Sequence, residues 1–485
     1  MVMKKNNLII SVILTSVVAT AITLVVLLNP PPSDTILSPY LHEPILTMEH
    51  DNLNQQVNPS ALFSNLTVTD AVTLPDNSVI QVGQALSDRN IYVPALLRTN
   101  LNDGAIWTTS FNPVDIDGVE YDSAGTSVNT IHQLIYVNPE LIYVIGTVRS
   151  KLVDIHGGQY PLRGLFSSSN LPIGNDLMVF IASFTQTFSN FRFHGFITPP
   201  DEVGEQATIV ADATLLDSNT MVLVGVTNSQ AGLFLDSDNK SPKDFVMSVD
   251  LGETITLNHL FTFDNSSYVQ TNRIYALADG DLIVSGNFQE ADGDFEGIPL
   301  NQSVETPAFM AKIDGEFFTL AWVTSNLMKN TINAAVTQYA NVMELDDHHL
   351  VTIANLWEAN ETYDQHILIT VLTDEGQIKT QKVLNLNDRD ATVLRLYKAT
   401  TGYWLAGTIK NGSDTNIMVV KLTASLNISL IHEIMGSGQE VWLVEPFILN
   451  QGEFALPIGT YSKDQDYVVL GGTENAYQKV LIRLT

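Results

Sequence analysis

The sequence of 485 residues contains no cysteine. Disulfides, zinc–thiolate sites, iron–sulfur clusters and cysteine nucleophiles are therefore all excluded. A lipoprotein anchor is excluded for the same reason. An exported protein without disulfides must be held together by its core, and 45% of the residues are hydrophobic, which is ample for one large domain or several ordinary ones.

Basic residues are scarce. The chain has 23 Lys and Arg against 53 Asp and Glu, a net charge of -30. Because nucleic-acid binding needs clustered basic side chains to neutralise phosphates, we expect no nucleic-acid partner. An acidic surface suits contact with water, cations or basic partners.

Catalytic signatures are missing as well. The chain has no His-Glu-x-x-His, no Gly-x-Ser-x-Gly and no phosphate-binding glycine loop. Carboxylates are so numerous that no pair stands out as a general acid and base. The sequence therefore assigns no catalytic, cofactor-binding or metal-binding residue.

One long apolar run is present near the N-terminus. Lys4 and Lys5 precede residues 8–28, which carry no charge. At about 1.5 Å per residue a helix of this length spans about 30 Å, the thickness of a bilayer core. A cleaved signal peptide is the alternative, but its apolar region is shorter. We expect a transmembrane signal anchor at 8–28, a cytoplasmic N-terminus at 1–7, and the rest outside the membrane.

The chain changes character after the anchor. Pro30, Pro31 and Pro32 end the helix and begin an extended linker, which we place at residues 29–60. Residues 61–485 then show internal repeats. The expected protein is thus a single-pass cell-membrane protein with one extracytoplasmic domain.

A short β-rich run that ends in a small residue occurs seven times in this domain. The copies lie 52 to 79 residues apart. Their aligned small residues are Gly83, Gly146, Gly225, Gly286, Ala354, Gly407 and Gly459. Each copy is flanked by further strand-like runs, several of which end in Asp-Gly, a hairpin turn signal.

Four short antiparallel strands repeated seven times predict an all-β fold, a seven-bladed β-propeller of four-stranded antiparallel blades preceded by one transmembrane helix. A β-solenoid is the alternative, although its repeats are usually shorter. The last copy ends after its third strand. We therefore expect a segment ahead of the first copy, residues 61–66, to supply the missing fourth strand and remove exposed edges.

The repeats resemble a known family. The stretch LIVSGNFQEADGDFEG at residues 282–297, followed by PAFMAKIDG at 307–315, is similar to the bacterial seven-bladed β-propeller repeat. The runs at 244–252 and 417–423 are similar as well. Pro307 and Ala308 replace the Asp usual in that repeat, and Ala354 replaces Gly. The resemblance implies an exported or surface protein that binds or scaffolds, with no shared catalytic residues.

Two acidic loops are candidates for calcium. In the first, Asp292, Asp294, Glu296 and Gly297 match the start of an EF-hand loop, but Ser303 stands where the bidentate Glu is needed. The default interpretation is a solvated inter-strand loop. The second contains three aspartates, with two lysines among them that would compete with a cation: Asp236, Asp238, Asp244, Lys240 and Lys243.

Histidine and tryptophan give two weaker candidates. His348 and His349 follow Asp346 and Asp347 at a turn, and could act as metal ligands or as acid and base, although polar residues are expected at a turn anyway. Five tryptophans could form a carbohydrate platform, while core packing is the competing interpretation: Trp107, Trp322, Trp357, Trp404 and Trp442.

The sequence predicts a non-catalytic binding or scaffold module at the cell surface, with an unknown protein or carbohydrate partner. The first alternative is a hydrolase or lyase whose site lies at the mouth of the axial channel, where distant residues converge. The second is a spacer domain of the cell envelope. A polar axial pocket would favour the enzyme, and an apolar or plugged channel the scaffold.

Overall fold

The computed structural model describes residues 56–57, 67–76, 78–86, 92–100, 104–114, 129–148, 152–155, 158–161, 178–197, 208–227, 243–252, 254–262, 269–288, 294–295, 298–299, 308–325, 334–345, 347–358, 365–384, 386, 390–399, 401–411, 414–434, 441–443, 447–448, 454–460 and 478–484. No helix long and apolar enough to cross a bilayer occurs in these ranges. The expected anchor at 8–28 and most of the expected linker lie outside them.

The described part is built from β-strands. In the first half of the chain they are β1 (Gln56–Val57), β2 (Thr67–Thr73), β3 (Ser78–Leu86), β4 (Tyr92–Asn100), β5 (Gly104–Ser110), β6 (Asn112–Val114), β7 (Thr130–Asn138), β8 (Leu141–Val148), β9 (Leu152–Ile155), β10 (Gly158–Pro161), β11 (Met178–Phe184), β12 (Arg192–Ile197), β13 (Thr208–Leu215), β14 (Thr220–Thr227), β15 (Lys243–Leu251) and β16 (Ile255–Thr262).

The second half continues the pattern. Its strands are β17 (Val269–Ala276), β18 (Leu282–Phe288), β19 (Asp294–Phe295), β20 (Ile298–Pro299), β21 (Ala308–Ile313), β22 (Leu320–Ser325), β23 (Ala334–Glu344), β24 (Leu350–Glu358), β25 (Gln365–Leu372), β26 (Ile378–Leu384), β27 (Ala391–Ala399), β28 (Gly402–Asn411), β29 (Asp414–Leu422), β30 (Ile428–Ile434), β31 (Val441–Leu443), β32 (Phe447–Ile448), β33 (Phe454–Thr460) and β34 (Gln478–Leu484).

These strands form a β-propeller with six four-stranded antiparallel blades. The blades are β2-β3-β4-β5, β7-β8-β11-β12, β13-β14-β15-β16, β17-β18-β21-β22, β23-β24-β25-β26 and β27-β28-β29-β30. The connection between β17 and β18 is a tight hairpin, as its Asp-Gly signal predicts, and Gly280 of this turn has a φ of 93°. The propeller of four-stranded blades is confirmed.

The predicted count of seven such blades is wrong, because six sheets have this form. The seventh copy, around Gly459, lies in a five-stranded sheet in which β31 and β32 both pair with β33 and β34 pairs with β1. A split innermost strand replaces the single strand of a regular blade. This sheet contacts β2 of the first blade and β27 and β29 of the sixth.

The N-terminal side of the chain supplies an outer strand to this last sheet. Gln56 and Val57 pair with Ile482 and Leu481 of β34. The predicted segment, residues 61–66, lies outside the described residues, so the paired strand is an earlier one than expected. Pairing β1 with β34 covers an edge that the C-terminal strand would otherwise expose.

Hydrophobic cores lie between the blades and not at the axis. Each pair of neighbouring blades from the first to the sixth shares one buried cluster, so five clusters join six blades. The middle strands are packed on both faces, which is why β21 is buried at all six positions. Such strands are continuously apolar in sequence, whereas the outer strand β26 is exposed over its first half.

Candidate binding site at the propeller axis

The innermost strand of each of the six blades contains a β-bulge at an equivalent position. The pairing register with the second strand slips there by one residue. The residue that follows the slip is polar in every blade. We call these six residues the axial ring: Asp70, Gln133, Asp212, Arg273, Asn341 and Arg395.

The bulge explains the repeated glycine. Gly225 pairs with Val210, the last residue before the slip in the third blade. A Cβ added at Gly225 would lie 2.0 Å from the carbonyl oxygen of Ile209, a distance that no side chain can occupy. Gly286 and Gly407 face the same obstruction, with a carbonyl oxygen at 2.1 Å in each case. The small residue is therefore needed because the bulge brings the two backbones together.

The axial ring links each inner strand to the next one around the axis. Asp70 Oδ2 accepts a 2.8 Å hydrogen bond from the Leu134 N–H of the second blade. Gln133 of that blade donates through Nε2 to the Ala213 carbonyl of the third, at 2.7 Å. In both cases the side chain contacts the backbone of the next blade, at the residue that directly follows the ring residue of that blade.

The same relation recurs further around the ring. Asp212 Oδ2 accepts from the Ile274 N–H of the fourth blade at 3.0 Å. Asn341 of the fifth blade donates through Nδ2 to the Leu396 carbonyl of the sixth at 2.9 Å. Innermost strands have one edge without a β partner, so their backbone groups need other acceptors and donors. The ring side chains provide them.

A cavity of about 380 Å³ lies among these strands. Its lining comes from the inner strands of all six blades and from β18 of the fourth blade, and includes five of the six ring residues. Tyr136 and Tyr275 add aromatic surface to the wall. The volume falls within the range of small-molecule sites, roughly 300–1,000 Å³. The axial pocket is therefore polar and large enough for a small ligand.

Burial governs the charges of the ring. It raises the pKa of Asp70, an effect that the Arg395 charge and two backbone hydrogen bonds oppose. It also raises the pKa of Asp212, opposed by the charge of Arg273 and the Ile274 N–H. For Arg395, burial alone would lower the pKa, but Tyr397, Asp70 and Asp212 raise it, and the guanidinium stays charged.

A second set of hydrogen bonds joins neighbouring blades at positions away from the axis. Asp244 Oδ1 accepts hydrogen bonds from the N–H and the hydroxyl of Thr271, at 2.7 and 2.9 Å, and burial raises its pKa to about 6. Asn355 exchanges two hydrogen bonds with the backbone of Val393. Asp244 was a candidate ligand of the second acidic loop; it lies on β15 and holds the fourth blade.

The remaining calcium candidates gain no support in the described residues. Asp236, Asp238, Lys240, Asp292, Glu296, Gly297 and Ser303 all lie outside them. Asp294 begins β19, which forms a two-residue ribbon with β20. No cluster of three or more potential ligands capable of holding a metal occurs among the described His, Asp and Glu side chains.

The histidine pair lies at a surface turn. His348 Nδ1 is 2.9 Å from Glu344 Oε1, and the hydrogen bond raises the pKa of this exposed histidine. His349 Nδ1 is 2.8 Å from Asp347 Oδ2. These contacts are local to the turn between β23 and β24, and neither histidine lines the axial pocket.

Tryptophans with described side chains pack within the propeller. Trp404 is fully buried, with Lys421 Nζ 5.0 Å from its ring centroid. Trp107 and Trp322 donate their indole N–H groups to the carbonyls of Gln186 and Asp374. The side chains of Trp357 and Trp442 are outside the described part. A carbohydrate platform of tryptophans is not present among the three that can be placed.

Sequence reasoning missed the axial ring, although a signal for it exists. Each ring residue precedes the aligned small residue of its blade by 13 positions, or by 12 in the sixth blade. Polar residues at a fixed offset from a repeated glycine would have marked the positions that converge at the axis. The six residue types differ, so a motif search by identity does not find them.

Comparisons with known proteins give structural neighbours and no family. No family model matches the sequence, and no curated protein does. Among solved structures, an acylaminoacyl peptidase from Pyrococcus horikoshii is 12% identical with a TM-score of 0.43, the match covering 85% of this chain and 52% of that one. The present chain thus spans about half the length of that peptidase.

Two further neighbours are shorter proteins. The β-propeller domain of the Trilobed protease from Pyrococcus furiosus is 10% identical, with a TM-score of 0.39 and coverage of 84% of this chain and all of that one. The polysaccharide lyase Uly1 is 12% identical, with a TM-score of 0.43 and coverage of 91% and 93%. Likeness at this level carries no information about activity.

Proposed function

We propose that this chain is a membrane-anchored, extracytoplasmic β-propeller that binds a small polar ligand in its axial pocket. The observation that carries the proposal is the pocket itself, about 380 Å³ in volume and lined from six inner strands, five of which contribute a polar side chain. A spacer domain has no need of such a cavity. A protein that acts only as a scaffold could equally well have its axial channel filled by apolar side chains.

The carboxylates of the axial ring support binding over catalysis. Asp212 accepts backbone N–H groups on both oxygens, from Ala213 through Oδ1 and from Ile274 through Oδ2, each at 3.0 Å. A general base must have an oxygen directed at the proton that it removes. Both oxygens of Asp212 are occupied in holding the ring together.

Enzymatic activity is the second candidate. A polar axial pocket is the feature that favours an enzyme over a scaffold, and this pocket contains an aspartate of raised pKa. Ser183 and His194 form a hydrogen-bonded pair of the kind that some hydrolases use, with Oγ 2.9 Å from Nε2. Both residues are buried in the second blade, however, and neither lines the pocket. Asp212 is the carboxylate among the residues that line the pocket, and an Asp212→Asn variant that keeps binding but loses turnover would favour the enzyme.

The proposed membrane location rests on the sequence of residues 1–28. A charge-free run of 21 residues after two lysines fits a signal anchor that places the propeller outside the cytoplasm. Because the chain has no cysteine, a single introduced one reports its own exposure. Thr254 lies at an exposed turn of the third blade. We expect Thr254→Cys to react with a membrane-impermeant maleimide on intact cells, and a reaction that requires lysis would contradict the topology.

Ligand binding is tested with the full chain in detergent. Thermal unfolding is measured in the presence of a panel of monosaccharides, sugar acids, amino acids and phosphate. A ligand that binds only the folded state raises the unfolding temperature. We expect at least one member to do so, and no shift from any member would argue against a binding function of this pocket.

A further inference from the structure

The axial ring contains two aspartates and two arginines, but the two kinds of charge are used differently. Asp70 accepts from the N–H groups of Ala71 and Leu134, both at 2.8 Å. Asp212 accepts two N–H groups in the same way. The acceptor oxygens thus point into the backbone of the ring.

The two arginines face the cavity. Arg273 and Arg395 both line it, from the fourth and sixth blades on either side of Asn341. No carboxylate in the described part of the chain lies within ion-pair distance of the Arg273 guanidinium. Arg273 acts on Asp212 through its charge alone, by lowering the pKa of that carboxyl. Its donors are therefore available to a ligand.

A neutral part of the ligand is also accommodated. Gln133 uses Nε2 in the ring, while its buried Oε1 has no hydrogen-bond partner among the described residues. This oxygen has almost no exposed surface, so it can accept from a ligand hydroxyl only after the side chain turns toward the cavity. Tyr136 and Tyr275 line the same cavity, and their rings can cover an apolar face of a small ring-shaped molecule.

We propose that the axial pocket binds a hydroxylated carboxylate of monosaccharide size, such as a uronic acid, through a charge-assisted contact of its carboxylate with Arg273 and Arg395. The inference deepens the binding function proposed above and depends on it. A guanidinium presents a planar fork that matches a carboxylate with two parallel hydrogen bonds. In a chain of net charge -30, an anion needs local positive charge, which the two arginines supply.

The test compares D-glucuronate with D-glucose, which has a neutral CH2OH group in place of the carboxylate. Binding to the detergent-solubilised full chain is measured by calorimetry. We expect glucuronate to bind at least ten-fold more tightly than glucose, and more weakly as ionic strength rises. Arg273→Gln should weaken glucuronate binding at least ten-fold and weaken glucose binding by a smaller factor.

Two further variants keep the result interpretable. Arg192→Gln removes the same charge from an exposed position outside the pocket, and its glucuronate affinity should equal that of the wild type. Arg273→Lys keeps the charge but loses the fork, and should be intermediate between wild type and Arg273→Gln. It serves as the primary variant if Arg273→Gln does not fold.

The outcomes separate this inference from the binding function. Glucuronate binding with unchanged affinity in Arg273→Gln, or glucose binding to the wild type as tightly as glucuronate, would overturn the proposed carboxylate ligand while leaving a binding module. Inorganic phosphate binding more tightly than glucuronate would overturn it as well. If no probe binds at all, the binding function itself fails.

Discussion

The backbone N–H of Leu134 donates a 2.8 Å hydrogen bond to Oδ2 of Asp70, and this contact joins the inner strands of two neighbouring blades. The same carboxylate accepts from its neighbour Ala71 through Oδ1. A buried acid is thus used as an acceptor for strand edges that no β partner covers. The arrangement recurs with different side chains around the axis.

Loss of the Asp70 carboxylate should lower the stability of the fold. Asp70→Ala leaves two backbone N–H groups without a partner, and we expect the free energy of unfolding to fall by about 2–4 kcal/mol. Asp70→Asn keeps one acceptor oxygen and should lose about half as much. Urea unfolding measures both, with exposed Glu140→Ala as the control, for which a change within about 0.5 kcal/mol is expected. Equal stability of Asp70→Ala and wild type would show that the ring is not structural.

Gly225 should tolerate no side chain. In Gly225→Ala the new Cβ meets the Ile209 carbonyl oxygen at 2.0 Å, so the bulge must open. We expect a loss of at least about 3 kcal/mol, in the range of strain at special backbone sites. Gly252→Ala is the matched control, because its Cβ comes no closer than 3.5 Å to another atom and should change stability little. Two variants of equal stability would contradict the close approach.

The sequence predicts the second strand of each blade well and the axis poorly. Middle strands are buried on both faces, so they appear as apolar runs that end at Gly146 or Gly225, and those runs repeat visibly. Each inner strand contributes one polar residue to the axial ring, and Asp70 and Arg395 share no chemistry that a repeat search detects. The ring positions share a β-bulge, which is a property of backbone pairing. In the sequence, only the glycine of the neighbouring strand indicates it.

The number of four-stranded blades was overestimated for a related reason. The run that ends at Gly459 has the same composition as the other six, and it does form the central strand β33. The strand that precedes it is divided into β31 and β32, and the outermost one is β1 from the other end of the domain. Local composition cannot specify a partner that is more than 400 residues away in the chain.

Asp244 should make the folded protein less stable as the pH rises from about 4 to above 6. Burial raises the pKa of this carboxyl to about 6, from 3.8 for a free side chain, so the folded state holds an extra proton between these values. Its favourable contribution is complete below about pH 4 and is lost as the pH rises through 6. Asp244→Asn keeps the acceptor for Thr271 without the buried charge. We expect it to be more stable than wild type at pH 7.5, by up to about 3 kcal/mol, and equal to it near pH 4. A destabilised variant at pH 7.5 would contradict this.

His194 should have the opposite effect. Burial lowers its pKa to about 4, from 6.5 for a free histidine, so the unfolded chain holds more protons between these values. Stability from this group is therefore complete above about pH 6.5 and is lost as the pH falls through 4. His194→Asn gives up contacts to Ser183 and Gly252, and should cost about 1–2 kcal/mol at neutral pH. Its stability should fall less than that of wild type between pH 7 and pH 4, as followed by denaturant unfolding. An equal fall in both proteins would contradict the role of His194.

Substitution of the buried Lys312 should cost more stability than substitution of an exposed lysine. It lies between the fourth and fifth blades, with Nζ 2.6 Å from Asp374, 3.0 Å from Asp281 and 3.5 Å from Asp279. Burial would lower its pKa, but the three carboxylates raise it further than burial lowers it. Lys312→Met leaves these carboxylates facing each other, and we expect a loss of about 2–4 kcal/mol.

A matched variant distinguishes loss of the buried Lys312 ion pairs from loss of a lysine charge alone. Lys379 is half exposed, with Nζ 3.8 Å from Asp347, and Lys379→Met should cost less than about 1 kcal/mol. Thermal unfolding in low and high salt measures both variants. If the two lose the same stability, the buried cluster makes no special contribution.

Site-specific labelling tests the central claim, that the axial pocket is the ligand site. Thr214 lines the pocket, and in a cysteine-free chain Thr214→Cys is the single thiol. We predict that saturating glucuronate slows its modification by iodoacetamide several-fold, while the rate at Thr254→Cys on the outer turn is unchanged. If glucuronate binds by calorimetry and the rate at Thr214→Cys stays the same, the ligand lies elsewhere and the axial pocket is not its site.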